Sequence, residues 1–127
     1  MATTGIDTHK ESDGQAVTVS LDATVYKDQV AYVDGWLGVA AGSGDSGDSI
    51  ALDIGSVERQ FTVPSSLNAS KGDIVYIDVT SLYGQHIPND SAYSTSAGGN
   101  KVAFFKATSD QDGTFITGVV IPWGLAS

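Results

Sequence analysis

Two histidines and a few paired carboxylates are where this sequence could do bond-making chemistry. His9 and His86 are the sole imidazoles. A nucleophilic relay sets such a ring between a hydroxyl and a carboxylate. Serine and aspartate abound, but no Gly-x-Ser-x-Gly elbow stands between a strand pattern and a helix pattern. Zinc takes three or four His, Cys or carboxylate ligands. Neither histidine has that company at a usable spacing, and cysteine is absent. Asp45 and Asp48, in the glycine-rich run Gly42-Ser43-Gly44-Asp45-Ser46-Gly47-Asp48-Ser49, are hard oxygen donors of the kind calcium takes. No glutamate follows at the helix-loop-helix spacing, and the run is too short for a calcium-binding β-roll. It also lacks the lysine and the following helix of a phosphate loop. Asp45/Asp48 and Asp110/Asp112 sit beside glycine, where a carboxylate bonds nearby backbone and makes a turn. The reading is a non-enzyme with no catalytic residue, no cofactor and no metal. The catalytic alternative is a small enzyme using His86 with loop aspartates.

The elements that would carry these groups are strands. Val17-Thr18-Val19-Ser20-Leu21-Asp22 and Ile50-Ala51-Leu52-Asp53-Ile54 alternate apolar and polar residues. Val75, Ile77 and Val79 share one side of a third run, with Tyr76 and Asp78 on the other. A period of two is that of half-buried strands. Further runs fall at 29–33, 36–40, 57–63, 102–107 and 114–121. Asp34-Gly35 between two of them predicts a tight hairpin, because a type I′ turn needs positive φ at both central residues. Pro64 stops one run, and residues 65–70 form a connection with at most one helical turn. No segment holds a capped 3.6-residue period.

The 127 residues suit one domain, with 15 acidic side chains against 6 scattered basic ones and a formal net charge of -9. That balance opposes phosphate binding, so no nucleic acid and no anionic membrane is expected as a partner. The first ten residues lack the basic and apolar stretches of a secretory signal, and no run is long enough to span a bilayer. Synthesis in the cytoplasm is therefore expected. The predicted fold is all-β: a small single-domain antiparallel β-sandwich or partly open barrel. It has a flexible N-terminal arm (1–14), a β-domain (15–127) and a long polar loop (80–100). A loop of that length is expected to be functional, mobile, or to carry a short hairpin. Trp36, Phe61 and Phe115 fall in strand patterns and are expected in the core. Tyr83 and Tyr93 in the loop, and Trp123 after Pro122, are candidate interface anchors. Ile6 is the arm's one large aliphatic residue after Met1, so the arm is expected to dock by strand addition.

One series of segments resembles a known family. It runs Asp13-Gly14-x-x-Val17-Thr18-Val19, Asp28-x-Val30, Asp34-Gly35-Trp36-Leu37-Gly38-Val39-Ala40 and Gly47-Asp48-Ser49-Ile50-Ala51-Leu52. Phe61-Thr62-Val63-Pro64, Lys71-Gly72-Asp73-Ile74-Val75-Tyr76-Ile77-Asp78 and Val102-Ala103-Phe104-Phe105-Lys106-Ala107 follow. Across about residues 12–121 this resembles the small tailed-phage capsid cement, or head decoration, proteins. The resemblance implies a non-enzymatic β-domain on the exterior of a bacteriophage virion. Its partner would be the major capsid protein, whose subunits it would bridge as a homo-oligomer, a trimer in preference to a dimer. Some members of the family carry a recombinase label, which the missing phosphate loop opposes here. Two departures stand out: Phe104-Phe105 replaces the family's Gly-Val-Ala repeat before the last strand, and 80–100 is longer than the family norm. The alternative reading is a carbohydrate-binding or adhesion β-module on a virion or cell surface, using Tyr83, Tyr93 and Trp123 with loop carboxylates.

Overall fold

Alternating burial along Ala16–Ser20, with Val19 inside and Thr18 and Ser20 outside, makes the first strand, β1. The computed structural model describes residues 16–55 and 57–121. The expected arm, with Ile6, and Trp123 lie outside them. The same period gives β2 (Val30–Val33), β3 (Trp36–Ala40), β4 (Ser49–Asp53), β5 (Glu58–Thr62) and β6 (Ile74–Asp78). Next come β7 (Leu82–Tyr83), β8 (Ile87–Pro88), β9 (Tyr93–Ser94), β10 (Lys101–Ala107) and β11 (Phe115–Val120). All pairings are antiparallel. A four-stranded sheet has the order β1-β4-β3-β2, and a five-stranded sheet the order β5-β11-β10-β6-β9. The expected all-β antiparallel sandwich is therefore the observed fold. Helix among the described residues is limited to two 3-10 turns, Ser65–Leu67 and Asp90–Ala92.

The β2–β3 half of the first sheet is covered on both faces, whereas the outer faces of β1 and β4 are exposed. Val30, Leu37 and Val39 pack against the second sheet, in a core with Ile77, Phe61, Phe104, Phe105 and Ile116. On the other face Ala31, Val33, Ala40, Ile50 and Leu52 enclose a second core with Val19, Leu21, Val25 and Ile87. Each large side chain so buried stabilises the fold by about 1.5–3 kcal/mol. The second core closes because the sheet curls. Val25 and Gly44 exchange backbone hydrogen bonds of 2.9 Å, and the Tyr32 amide donates to the His86 carbonyl at 2.8 Å. Residues 21–28 and the β7–β8 hairpin thus form its lid.

The Asp34-Gly35 hairpin is as expected: φ is +53° at Asp34 and +83° at Gly35. The Asp34 carboxylate also accepts the Ser20 amide at 2.9 Å, tying β1 to the turn. In Leu37-Gly38-Val39-Ala40 the glycine has a steric reason. A Cβ on Gly38 would lie 2.6 Å from the Asp53 carbonyl oxygen.

Phe104 and Phe105 break the period of two, because both are fully buried. The β10–β6 register shifts between Ala103 and Phe105, so Phe104 is the extra residue of a β-bulge. Phe61 stacks on Phe105 with centroids 4.1 Å apart and meets Phe104 edge-on at 5.4 Å. Two aromatic expectations need revision. Phe115 is not core but 50% exposed, because Ile116, Gly118 and Val120 hold the inward positions of β11. Trp36 is half-buried at the margin of the second core. The segment 80–100 carries structure of its own: the β7–β8 hairpin, a 3-10 turn and β9, which pairs with β6.

Candidate functional site

A concavity with a volume of about 890 Å³ runs between the two sheets. Val30, Val39 and Phe61 form its apolar floor, β5 forms one wall, and Tyr83, Pro88, Asp90 and Tyr93 form the other. The 80–100 segment builds that second wall because its hairpin packs beside β2. Tyr83 and Tyr93 therefore share one groove. Tyr83 is 54% exposed at the rim, whereas Tyr93 packs its ring against the first core. Burial, reinforced by the Asp90 carboxylate and by Tyr83, pushes the Tyr93 phenol up from 10.0 to about 12. The hydroxyl therefore stays neutral at physiological pH.

Arg59 enters the groove from β5 and is held by Asp53 at the end of β4, Nη2 to Oδ2 at 2.5 Å. The other Asp53 oxygen accepts the Gly55 amide at 2.8 Å. This ion pair ties the two sheets together at one end of the groove. Arg59 Nε is buried with no partner among the described residues. Asp28 and Asp90 are the other charged groups of the lining.

The wall along β5 is a sheet edge. The Val63 amide donates to the Thr114 carbonyl at 2.8 Å, in register with the β5–β11 pairing. Alternate residues Phe61 and Arg59 therefore also turn their backbone groups to β11. Those of Glu58, Gln60 and Thr62 point the other way. No backbone partner meets Gln60 or Thr62 there among the described residues.

The groups with chemical promise are used otherwise. His86 is 5% exposed, and its two ring nitrogens meet the Asp22 amide and the Tyr32 carbonyl. Asp48 accepts the Asp45 amide at 2.8 Å, and Asp45 accepts the Thr24 hydroxyl at 2.9 Å. Asp110 accepts the Lys71 amide at 2.9 Å. Asp48 serves its own turn, as its glycine neighbour suggested, whereas Asp45 and Asp110 tie their loops to segments distant in the chain. No cluster of three or more His or carboxylate groups suited to a metal occurs among the described residues. Ile6 and Trp123 lie outside them, so of the four expected anchors the groove brings together Tyr83 and Tyr93. Sequence reasoning missed Arg59 and the β5 edge. The one signal for the edge was the alternation of 57–63 itself, which does not say which strands lack a neighbour. Comparison of the chain with protein-family models, with curated proteins and with solved structures gave no match.

Proposed function

We propose that this chain is a non-enzymatic capsid decoration protein. It binds the outside of an icosahedral phage head and stabilises it by bridging major capsid protein subunits. The observation that supports this reading is the groove: an open face with a strand edge unpaired among the described residues and an exposed tyrosine, set on an all-strand body. The segments that carry the family resemblance build that body. Asp34–Ala40 spans the Asp-Gly hairpin, and Lys71–Asp78 leads into the interior strand β6.

The mechanism is mechanical. Internal pressure drives capsid subunits apart, and a bridging protein adds its own contacts to those that must break. Individually modest contacts gain strength when copies are joined, because a second contact forms at high effective concentration. A closed homotrimer would match a local three-fold axis of the shell, whereas a dimer would match a two-fold. The N-terminal arm would add hydrogen-bonded contacts on a neighbouring subunit.

The test is co-sedimentation of the purified chain with phage heads that lack it. Saturable binding and a raised disruption temperature of the heads are expected, with weaker attachment after deletion of residues 1–14. Absence of binding to any head of the phage that encodes the chain overturns the reading. One observation favours a second reading, a carbohydrate-binding module: Tyr83 and Tyr93 share the groove with Asp28 and Asp90. Glycan binding with no capsid association would establish it instead.

A further inference from the structure

We infer that the groove is filled by strand addition: an extended, lysine- or arginine-bearing segment of the partner pairs with the free edge of β5. The inference rests on the decoration reading only for the source of that segment, the major capsid protein. Its first support is the state of the sheet edges. Uncovered edges are normally blunted or short. At β1 the outward Ser20 amide is taken by the Asp34 carboxylate. At β2 the Tyr32 amide is taken by the His86 carbonyl. The edge strand β9 is two residues long. Among the described residues the five-residue β5 has neither device, and Gln60 and Thr62, which turn their amides and carbonyls to that edge, line the groove. Those groups are a template for an extended backbone.

The second support is charge. Arg59 is the cation of the lining and is already paired with Asp53, which leaves Asp28 and Asp90 without a counter-charge in the groove among the described residues. A basic side chain on the incoming strand meets them. The alternate side chains of that strand turn inward onto Val30 and Phe61, beside the exposed ring of Tyr83. Pro64, just beyond β5, limits the pairing to the length of that strand.

Amide hydrogen exchange on the full chain tests this. The probe is the peptide acetyl-TKVTVKT-amide, compared with its lysine-to-glutamate analogue. Exchange at Gln60 and Thr62 is expected to slow by roughly tenfold or more with the lysine peptide. The Phe61 amide, already paired with β11, should not change. The double variant Asp28→Asn, Asp90→Asn should weaken the lysine peptide several-fold while the chain stays folded. No slowing at either amide at about 1 mM peptide overturns strand addition. Equal protection by the two peptides overturns the basic occupant. The same amides read in decorated heads separate the two proposals. Heads that bind while Gln60 and Thr62 stay unprotected refute strand addition and leave decoration standing. Peptide protection without head binding does the reverse.

Discussion

The backbone amide of Asp22 donates to Nε2 of His86 at 3.1 Å, across 64 residues of chain. An amide can only donate, so Nε2 is the unprotonated nitrogen. Nδ1 then carries the hydrogen and gives it to the Tyr32 carbonyl at 3.2 Å. One neutral imidazole thus satisfies two backbone groups on opposite margins of the curled first sheet. It fastens the lid over the second core.

His86→Ala should cost about 2–4 kcal/mol, from two lost hydrogen bonds and the cavity left behind. Denaturant unfolding measures the cost. Nitrogen-detected NMR of the wild-type ring should show the Nδ1–H tautomer. An Nε2–H ring would contradict the arrangement.

Gly38→Ala should destabilise by about 1–3 kcal/mol, because the new methyl overlaps backbone at Asp53 and not a flexible side-chain tip. Strand β4 would have to move away from β3. A thermal midpoint equal to wild type would show that the two strands have room to separate.

Gln111 bonds three loop segments at once. Its Oε1 accepts the Ala69 amide at 2.9 Å, and its Nε2 donates to the carbonyls of Pro64 at 3.0 Å and Gly113 at 2.8 Å. Gln111→Ala should cost about 1–3 kcal/mol. The loss should appear as faster amide exchange at Ala69 before any change in the sheets. Gln111→Glu should be as harmful, since a carboxylate cannot donate to those carbonyls.

Tyr93 should make stability fall in alkali. Its phenol is raised in the folded state, so between pH 10 and about 12 the unfolded chain ionises while the folded chain keeps its proton. The contribution is complete below pH 10 and is lost as pH rises through the folded value. Tyr93→Phe should flatten that part of the stability profile. An ultraviolet titration showing Tyr93 ionising with the exposed tyrosines would refute the burial argument.

The strands were legible because β-branched residues alternate over most of them, and the Asp34-Gly35 pair announced its own turn. Phe104-Phe105 was not legible as a bulge. Two adjacent apolar residues fit a fully buried strand equally well, and only the partner β6 reveals the extra residue. Phe115 misled for the opposite reason: an aromatic at a strand start carries no mark of which face it takes until its neighbours are fixed. Tyr83 and Tyr93 could be read as surface candidates from their loop. That they share one groove depends on a hairpin docking beside β2, a contact with no local signature. His86 was singled out for chemistry, yet its roles are set by backbone groups more than fifty residues away.

The open side of β5 also bears on how copies of this chain behave in concentrated solution. Two such edges could zip together face to face. Each chain, however, brings a surplus of nine negative charges to the encounter, and Glu58 sits on the edge itself. Mutual repulsion of that size weakens as added salt shortens its range to about 10 Å or less. Any self-association of the unbound protein is therefore expected to follow ionic strength, low salt keeping the copies apart and high salt letting them meet.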